Sequence, residues 1–222
     1  VLQEGTPKDV CDLYLEAFYE AQQGKGSTTK LKAFKKLDNL LPVKDQRLEF
    51  INASNLRNDL QIFKFNPDAP SFGQRGAQIH DACLLDENEH RLNWVVGGEK
   101  VILRVLVHAN VDLNSPIIGF IVKDHLGQAL FADNTFLFYR EKSIHCQEGN
   151  EIQADFVFHM PLLPSGEYSI SIAIAEGVQE AHQQHHWIHD AILFRSESSS
   201  VVGGLIGIPM LDIKLRTLDT MA

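Results

Sequence analysis

From residue 57 onward the chain alternates between apolar and polar positions. Leu60–Phe65, Ala77–Leu85, Val101–Ala109, Ile117–Lys123, Gln128–Asp133 and Ile152–His159 each repeat with a period of two, the signature of a half-buried strand. In the third run Val101, Leu103, Val105 and Val107 share one face, and Ile102, Arg104, Leu106 and His108 the other. In the sixth, Ile152, Ala154, Phe156 and Phe158 point inward, with Gln153, Asp155 and His159 outward. Turn chemistry separates the runs: NPDAP, DENEHR, and Asp124-His125-Leu126-Gly127, which closes a hairpin. Two more strands, 165–175 and 185–194, flank the turn signal AEGVQEAHQQ. A last strand is expected over Val201–Leu218, where Gly203, Gly204 and Gly207 permit a bend or a close crossing. Strands at this spacing, without helices between them, predict an all-β fold, an antiparallel sandwich.

The first 56 residues differ. TPKDVCDLYLEAFYEAQQ, residues 6–23, predicts a helix with Thr6 as cap, Pro7 in the first turn and Asp9 at the positive end. Val10, Leu13, Tyr14, Ala17, Phe18 and Ala21 make its apolar stripe. GKGSTT then breaks it; with no preceding strand and no glycine five residues before its Gly-Lys pair, that segment is a linker rather than a phosphate loop. Residues 24–56 are a connector, with a short element over 46–54. The expected division is 1–56, helix and linker, and 57–222, sandwich.

The strand over 165–175 is unusual on one face. Tyr168, Ile170, Ile172 and Ile174 form a large-residue face, while Ser169, Ser171, Ala173 and Ala175 form a shallow one. A strand that only meets water usually carries long polar side chains, so a small-residue floor invites an occupant. Beside it the return strand brings Trp187, His185 and His189. An indole and imidazoles at the edge of such a floor suit a flat hydroxylated ligand that stacks its C–H face on aromatic rings. The alternative occupant is an insertion or a partner subunit.

Composition narrows the classes. With 44% hydrophobic and 22% charged residues, the chain has an ordinary globular balance. A net charge of −9 argues against nucleic acid as a partner. No apolar run approaches the roughly 18 residues of a membrane span, and no signal-peptide pattern opens the chain. The first residue, Val1, is expected to mark a piece of a longer protein. Cys11, Cys83 and Cys146 are odd in number and widely spaced, as in a cytosolic protein with reduced thiols.

Catalytic signatures are missing from the sequence. His182, His185, His186 and His189 cluster, yet alternation sends His185 and His189 one way and His186 the other, without a further ligand to complete a tetrahedron; no metal is expected. Carboxylates abound, but nothing fixes two of them across one bond. Asp133-Asn134-Thr135 ends a strand with groups that hydrogen-bond sugar hydroxyls, or equally cap their own backbone.

Three stretches carry a resemblance: GFIVKDHLGQALFADNT (119–135), LPSGEYSISIAIAEG (163–177) and HHWIHDAILF (185–194). Together they resemble the C-terminal domain of the Wzt-type ATPase subunit of ABC exporters that move O-antigen polysaccharide across the bacterial inner membrane. The resemblance covers roughly residues 57–218, and the helix over 6–23 resembles the tail that follows the ATPase domain in such subunits. It implies an Ig-like sandwich that binds the exported glycan, often at its capped non-reducing end, and couples chain completion to export. It also implies a homodimer, contact with the exporter's membrane subunit through the full-length protein, and a place at the cytoplasmic face of the inner membrane. No Walker sequence is present, so ATP belongs to a separate domain and no cofactor is expected here. Phe120, Phe131, Tyr168 and Phe194 are assigned to the core. The expected carbohydrate site comprises Lys123, Ser169, Ser171, Ala173, Trp187, His185 and His189, with Asp133, Asn134 and Arg140 at the rim. A bulge at His189-Asp190 would exchange His189 and His185 for Asp190 and His186. The hinge-like start of SSSVVGGLIGIPMLDIKL, with Leu211, Ile213 and Leu215 alternating, suggests that the last strand is exchanged between the two chains. The competing class is a module that only dimerises the subunits or contacts a partner.

Overall fold

Eight of the expected strands form where the alternation places them. The computed structural model describes residues 45–142, 144–178, 181–197, 203–210 and 212–216; the helix expected over 6–23 lies outside them. Strands β1 (Asp59–Ile62), β2 (Ser71–Phe72), β3 (Ala77–Leu85), β4 (Trp94–Val96) and β5 (Lys100–Ala109) come first. They are followed by β6 (Pro116–Asp124), β7 (Ala129–Asn134), β8 (Glu151–His159), β9 (Gly166–Val178) and β10 (Ala181–Glu197). Two short helices, α1 (Leu48–Asn52) and α2 (Phe136–Tyr139), accompany them.

The strands make two antiparallel sheets. The larger runs β4-β1-β10-β9-β6-β7, with β2 pairing locally to β10; the smaller runs β3-β5-β8. Between them lies the core. Val101, Leu103, Val105 and Val107 of β5 face Ile118, Phe120 and Val122 of β6 and Ile170, Ile172 and Ile174 of β9, all of them buried. Each such side chain contributes about 1.5–3 kcal/mol through burial. Phe120 meets Phe156, Phe158 and Phe131 with ring centroids at 4.9, 5.8 and 6.1 Å. These contacts, with buried Tyr168 and Phe194 stacked at 5.3 Å, bear out the core assignment.

Tyr168 and Asn58 hold their polar groups inside the sandwich against close partners. The Tyr168 hydroxyl donates to the Pro164 carbonyl at 2.9 Å, the upstream backbone bond typical of a tyrosine corner in Ig-like sandwiches. Fully buried Asn58 donates to the Leu163 carbonyl (3.0 Å) and the Ser196 hydroxyl (2.8 Å) and accepts from the Leu163 N–H (2.9 Å). That amide ties the chain before β1 to the segment between β8 and β9.

Three departures from the sequence reading have physical causes. No strand forms in the described part of 201–218; a single bridge joins Gly207 to Leu162. Pro209 interrupts that apolar run and cannot donate to a ladder. Strands β2 and β4 are two and three residues long, too short for a period to be visible. The two strands about the β9–β10 turn extend further than expected, to Val178 and from Ala181.

Candidate functional site

A single cross-sheet row defines the site. Asn134 pairs with Gly119, Gly119 with Ala173, Ala173 with Trp187, and Trp187 with Phe72. Neighbouring strands lie about 4.8 Å apart, so Asn134 and Trp187 stand roughly 14 Å apart with only a glycine and an alanine between them. The result is a trough on the outer face of the larger sheet. Its cavity has a volume of about 480 Å³ and is floored by Ile117, Gly119, Ile121, Ala173 and Ala175, with His182 and Gln184 at one end. Gly119 could not be larger without cost: a Cβ there would lie 3.0 Å from the Asn134 side chain.

The aromatic wall comes from β10 and β2. Phe72 stacks on Trp187 with centroids 5.9 Å apart and planes at 19°, and it also meets His189 at 5.7 Å. The indole N–H of Trp187 donates to Nδ1 of His189 at 3.3 Å. The wall therefore presents aromatic surface with its polar edges already oriented.

Two bulges in β10 put these residues where simple alternation does not. His185 is an extra residue between Gln184 and His186, and three residues, 189–191, oppose Ser171 alone. Asp190 adopts a left-handed backbone, φ 51°. Its N–H donates to the Ser171 hydroxyl (3.1 Å) and its carboxylate accepts from the Ser169 hydroxyl (2.6 Å). Asp190 thus turns toward the outer face.

Placement of the expected residues is mixed. Trp187, Ala173, Ser171, Asp133 and Asn134 come together around the trough, with His189 behind Trp187. Ser169 and Ser171 are buried, 7% and 1% exposed, because the Asp190 bulge closes over them; the open floor is Gly119 and Ala173 instead. Asp133 sits opposite Phe120 on the edge strand and accepts the Asn134 N–H (2.7 Å), while Asn134 accepts the Phe136 N–H (3.0 Å). Both side chains cap backbone and line the trough at once. Lys123 pairs with Ser169 on the same face but outside the cavity. Arg140 is not at this rim; it lines a separate small cleft with Ser115, Ile117, Tyr139 and Gly177.

The histidines correct the expected phase. His185 is buried rather than facing the floor: its ring lies against Gly76, with Nε2 3.4 Å from the Glu176 carboxylate. His186 is buried between the sheets, where the Ile79 N–H donates to Nδ1 (3.0 Å) and the Arg75 guanidinium lies 2.6 Å from Nε2. Burial, aided by the Arg75 charge, pushes the His186 pKa down to about 4. Among the described residues, no three His, Cys, Asp or Glu side chains converge as a metal set would.

Sequence reasoning missed Gly119, Ile121, His182 and Gln184 as lining residues. Gly119 alone carried a signal, as a glycine inside a strand where close approach is expected. A second cavity, about 600 Å³, opens on the other side of β7, between β7 and β8. Phe131, Phe138, Phe156, Phe158 and Ile206 line it, and Phe120, Ala132, Asp133 and Asn134 belong to both cavities.

Fold and site together define a β-sandwich domain with a ligand-sized, aromatic-walled trough on the outer face of its larger sheet. Residues 68–208 match the Wzt C-terminal domain family, and the chain belongs to that family; the family makes it part of an ABC transporter component. A crystal structure of the C-terminal domain of Wzt superposes with a TM-score of 0.57 at 21% identity, covering 68% of this chain and 91% of that one. Chicken MD-1 complexed with lipid IVa aligns over 59% of this chain and 99% of its own at 9% identity, but a TM-score of 0.29 carries no functional argument. No curated protein matches the chain. Among the described residues, no helix is long and apolar enough to cross a membrane.

Proposed function

We propose that this domain is a non-catalytic carbohydrate-binding module that recognises O-antigen polysaccharide, at or near its capped non-reducing end, for an ABC exporter. The observation that carries the reading is the row Asn134–Gly119–Ala173–Trp187, a flat floor between a hydrogen-bonding side chain and an indole. Sugars offer apolar C–H faces to stack and hydroxyls to bond, and the row supplies both. Individual contacts are weak, because hydroxyls exchange water hydrogen bonds for similar ones. In the full-length subunit such binding couples chain completion to export at the cytoplasmic face of the inner membrane. ATP is used by a separate domain, and the subunit works as a homodimer beside its membrane partner.

The deciding experiment is calorimetric binding of this domain to its own host's polysaccharide, with and without the terminal cap. Binding that depends on the cap supports the reading; no binding to either polymer ends it. The apolar cavity between β7 and β8 favours a second reading, a module that docks a protein partner, since large exposed apolar patches mark such surfaces. Phe138, 90% exposed at its rim, is the residue to change for that test.

A further inference from the structure

The outer face of the larger sheet does not end at the trough. Beyond the Asp190 bulge, β10 continues, and its outward residues fall into two more cross-sheet rows. Ser169 pairs with Lys123 on one side and Leu193 on the other, and the Phe63 N–H bonds the Leu193 carbonyl at 2.9 Å. One step further, Glu167 pairs with Arg195, Arg195 with Gln61, and Gln61 with Trp94. Leu60 and Val95, the alternating partners of these positions, are fully buried. Parity therefore sets Gln61 and Trp94 on the outer face, the face that holds Trp187.

Along this face Phe63, Leu193 and Trp94 are 48%, 51% and 47% exposed. Charged and polar groups interleave with them: Lys123, Arg195, Glu167 and Gln61. A protein-docking surface gathers its apolar residues into a continuous core with a polar rim. Here Leu193 and Phe63 adjoin, but each gives way two residues along the chain to a polar group, Arg195 and Gln61, and Trp94 stands beside Gln61. Such mixing suits a ligand that is itself a succession of apolar faces and hydroxyls. From Trp187 to Arg195 the strand advances roughly 20–25 Å at about 3.3 Å per residue, less the bulge.

We propose that Trp94 and Phe63 form a second carbohydrate subsite, continuous with the trough along β10, that holds the interior of the same polysaccharide chain. This rests on the glycan reading of the trough. Two aromatic stations joined along one strand raise the local concentration of the second contact once the first is made. A trough alone is filled by a short oligosaccharide; the extended face favours a ligand long enough to reach both stations. The domain thereby selects for a grown polymer as well as for an end.

The test uses oligosaccharides of increasing length from the polysaccharide of the cell that makes this chain. Binding is measured for the wild-type chain and for Trp94→Ala, Phe63→Ser and Trp187→Ala, each checked for unchanged Tm and oligomeric state. Wild-type affinity is expected to rise with length and level off once the ligand spans both stations. Trp94→Ala and Phe63→Ser should each weaken long oligosaccharides about tenfold and leave short ones unchanged, whereas Trp187→Ala weakens all lengths. Length-independent binding, or long-ligand binding untouched by both Trp94→Ala and Phe63→Ser, overturns the second subsite and leaves the trough intact. Loss of dimer in Trp94→Ala with glycan binding unchanged also overturns it, in favour of a protein interface. If Trp187→Ala alters nothing at any length, the reading of the trough itself is wrong.

Discussion

Ser169 and Asp190 are held together at 2.6 Å, hydroxyl to carboxylate, across the pair of strands that carries the site. The bond exists because three residues of β10 oppose one of β9, with Asp190 in a left-handed conformation, φ 51°. It sets where the return strand resumes its register, and hence where Trp187 stands relative to Ala173 on one side of the bulge and Leu193 to Ser169 on the other.

Replacement of Asp190 is the first prediction. Asp190→Ala removes the acceptor of Ser169 and places an ordinary side chain at positive φ, so about 1–3 kcal/mol of stability should be lost. Asp190→Asn tolerates that backbone and keeps an acceptor, and should lose less than half as much. Urea unfolding of both variants checks the order; equal losses would mean that charge rather than conformation governs the bulge.

Trp187 tests the trough. Trp187→Ala should cost on the order of 1–3 kcal/mol of glycan binding, the size of stacking on an aromatic platform. The ring is half-buried against Phe72, so a stability loss of about 1 kcal/mol accompanies it. A much larger fall in urea stability would identify the ring as core.

Gly76 should not accept a side chain. A Cβ there would lie 2.5 Å from Nδ1 of buried His185, and a closely packed ring has no room to move away. Gly76→Ala is expected to destabilise by about 1–3 kcal/mol. Combined with His185→Ala, the clash disappears, so the double variant should be more stable than the sum of the single losses predicts. Thermal melts of the four proteins close the cycle, and simple additivity would refute the contact.

His186 makes stability depend on pH. Its folded pKa, about 4, lies below the ordinary 6.5, so between those values the unfolded chain takes up a proton that the native fold refuses. The stabilisation is complete above 6.5 and is lost as pH falls toward 4. Wild-type Tm should drop across this window more steeply than that of His186→Gln, which has no such proton to bind. Parallel curves would show that the acid response comes from carboxylates such as Asp155, whose pKa is held low by the Arg104 guanidinium.

The period of two was enough to place the eight long strands, because each buries one face in a common core and the alternation is the direct consequence. It also marked Trp187 and Ala173, since a small-residue face beside an indole is visible in one dimension; Asn134 stood out only as a polar group ending a strand. What periodicity cannot encode is an extra residue. The two bulges in β10 depend on how the Ser169 and Ser171 hydroxyls meet Asp190 and on how His185 packs against Gly76, contacts between positions up to about a hundred residues apart. They turned His185 inward, brought Asp190 outward and closed over the two serines. Sheet order is likewise a tertiary outcome: only pairing through β6 sets Asn134 and Trp187 on opposite sides of one floor, and only β1 carries Trp94 onto the same face. The sequence by itself determined the eight long strands and the faces most of them bury; the short strands, the strand neighbours and the bulge register, and with them which side chains share the site, arise from long-range hydrogen bonds that no local pattern contains.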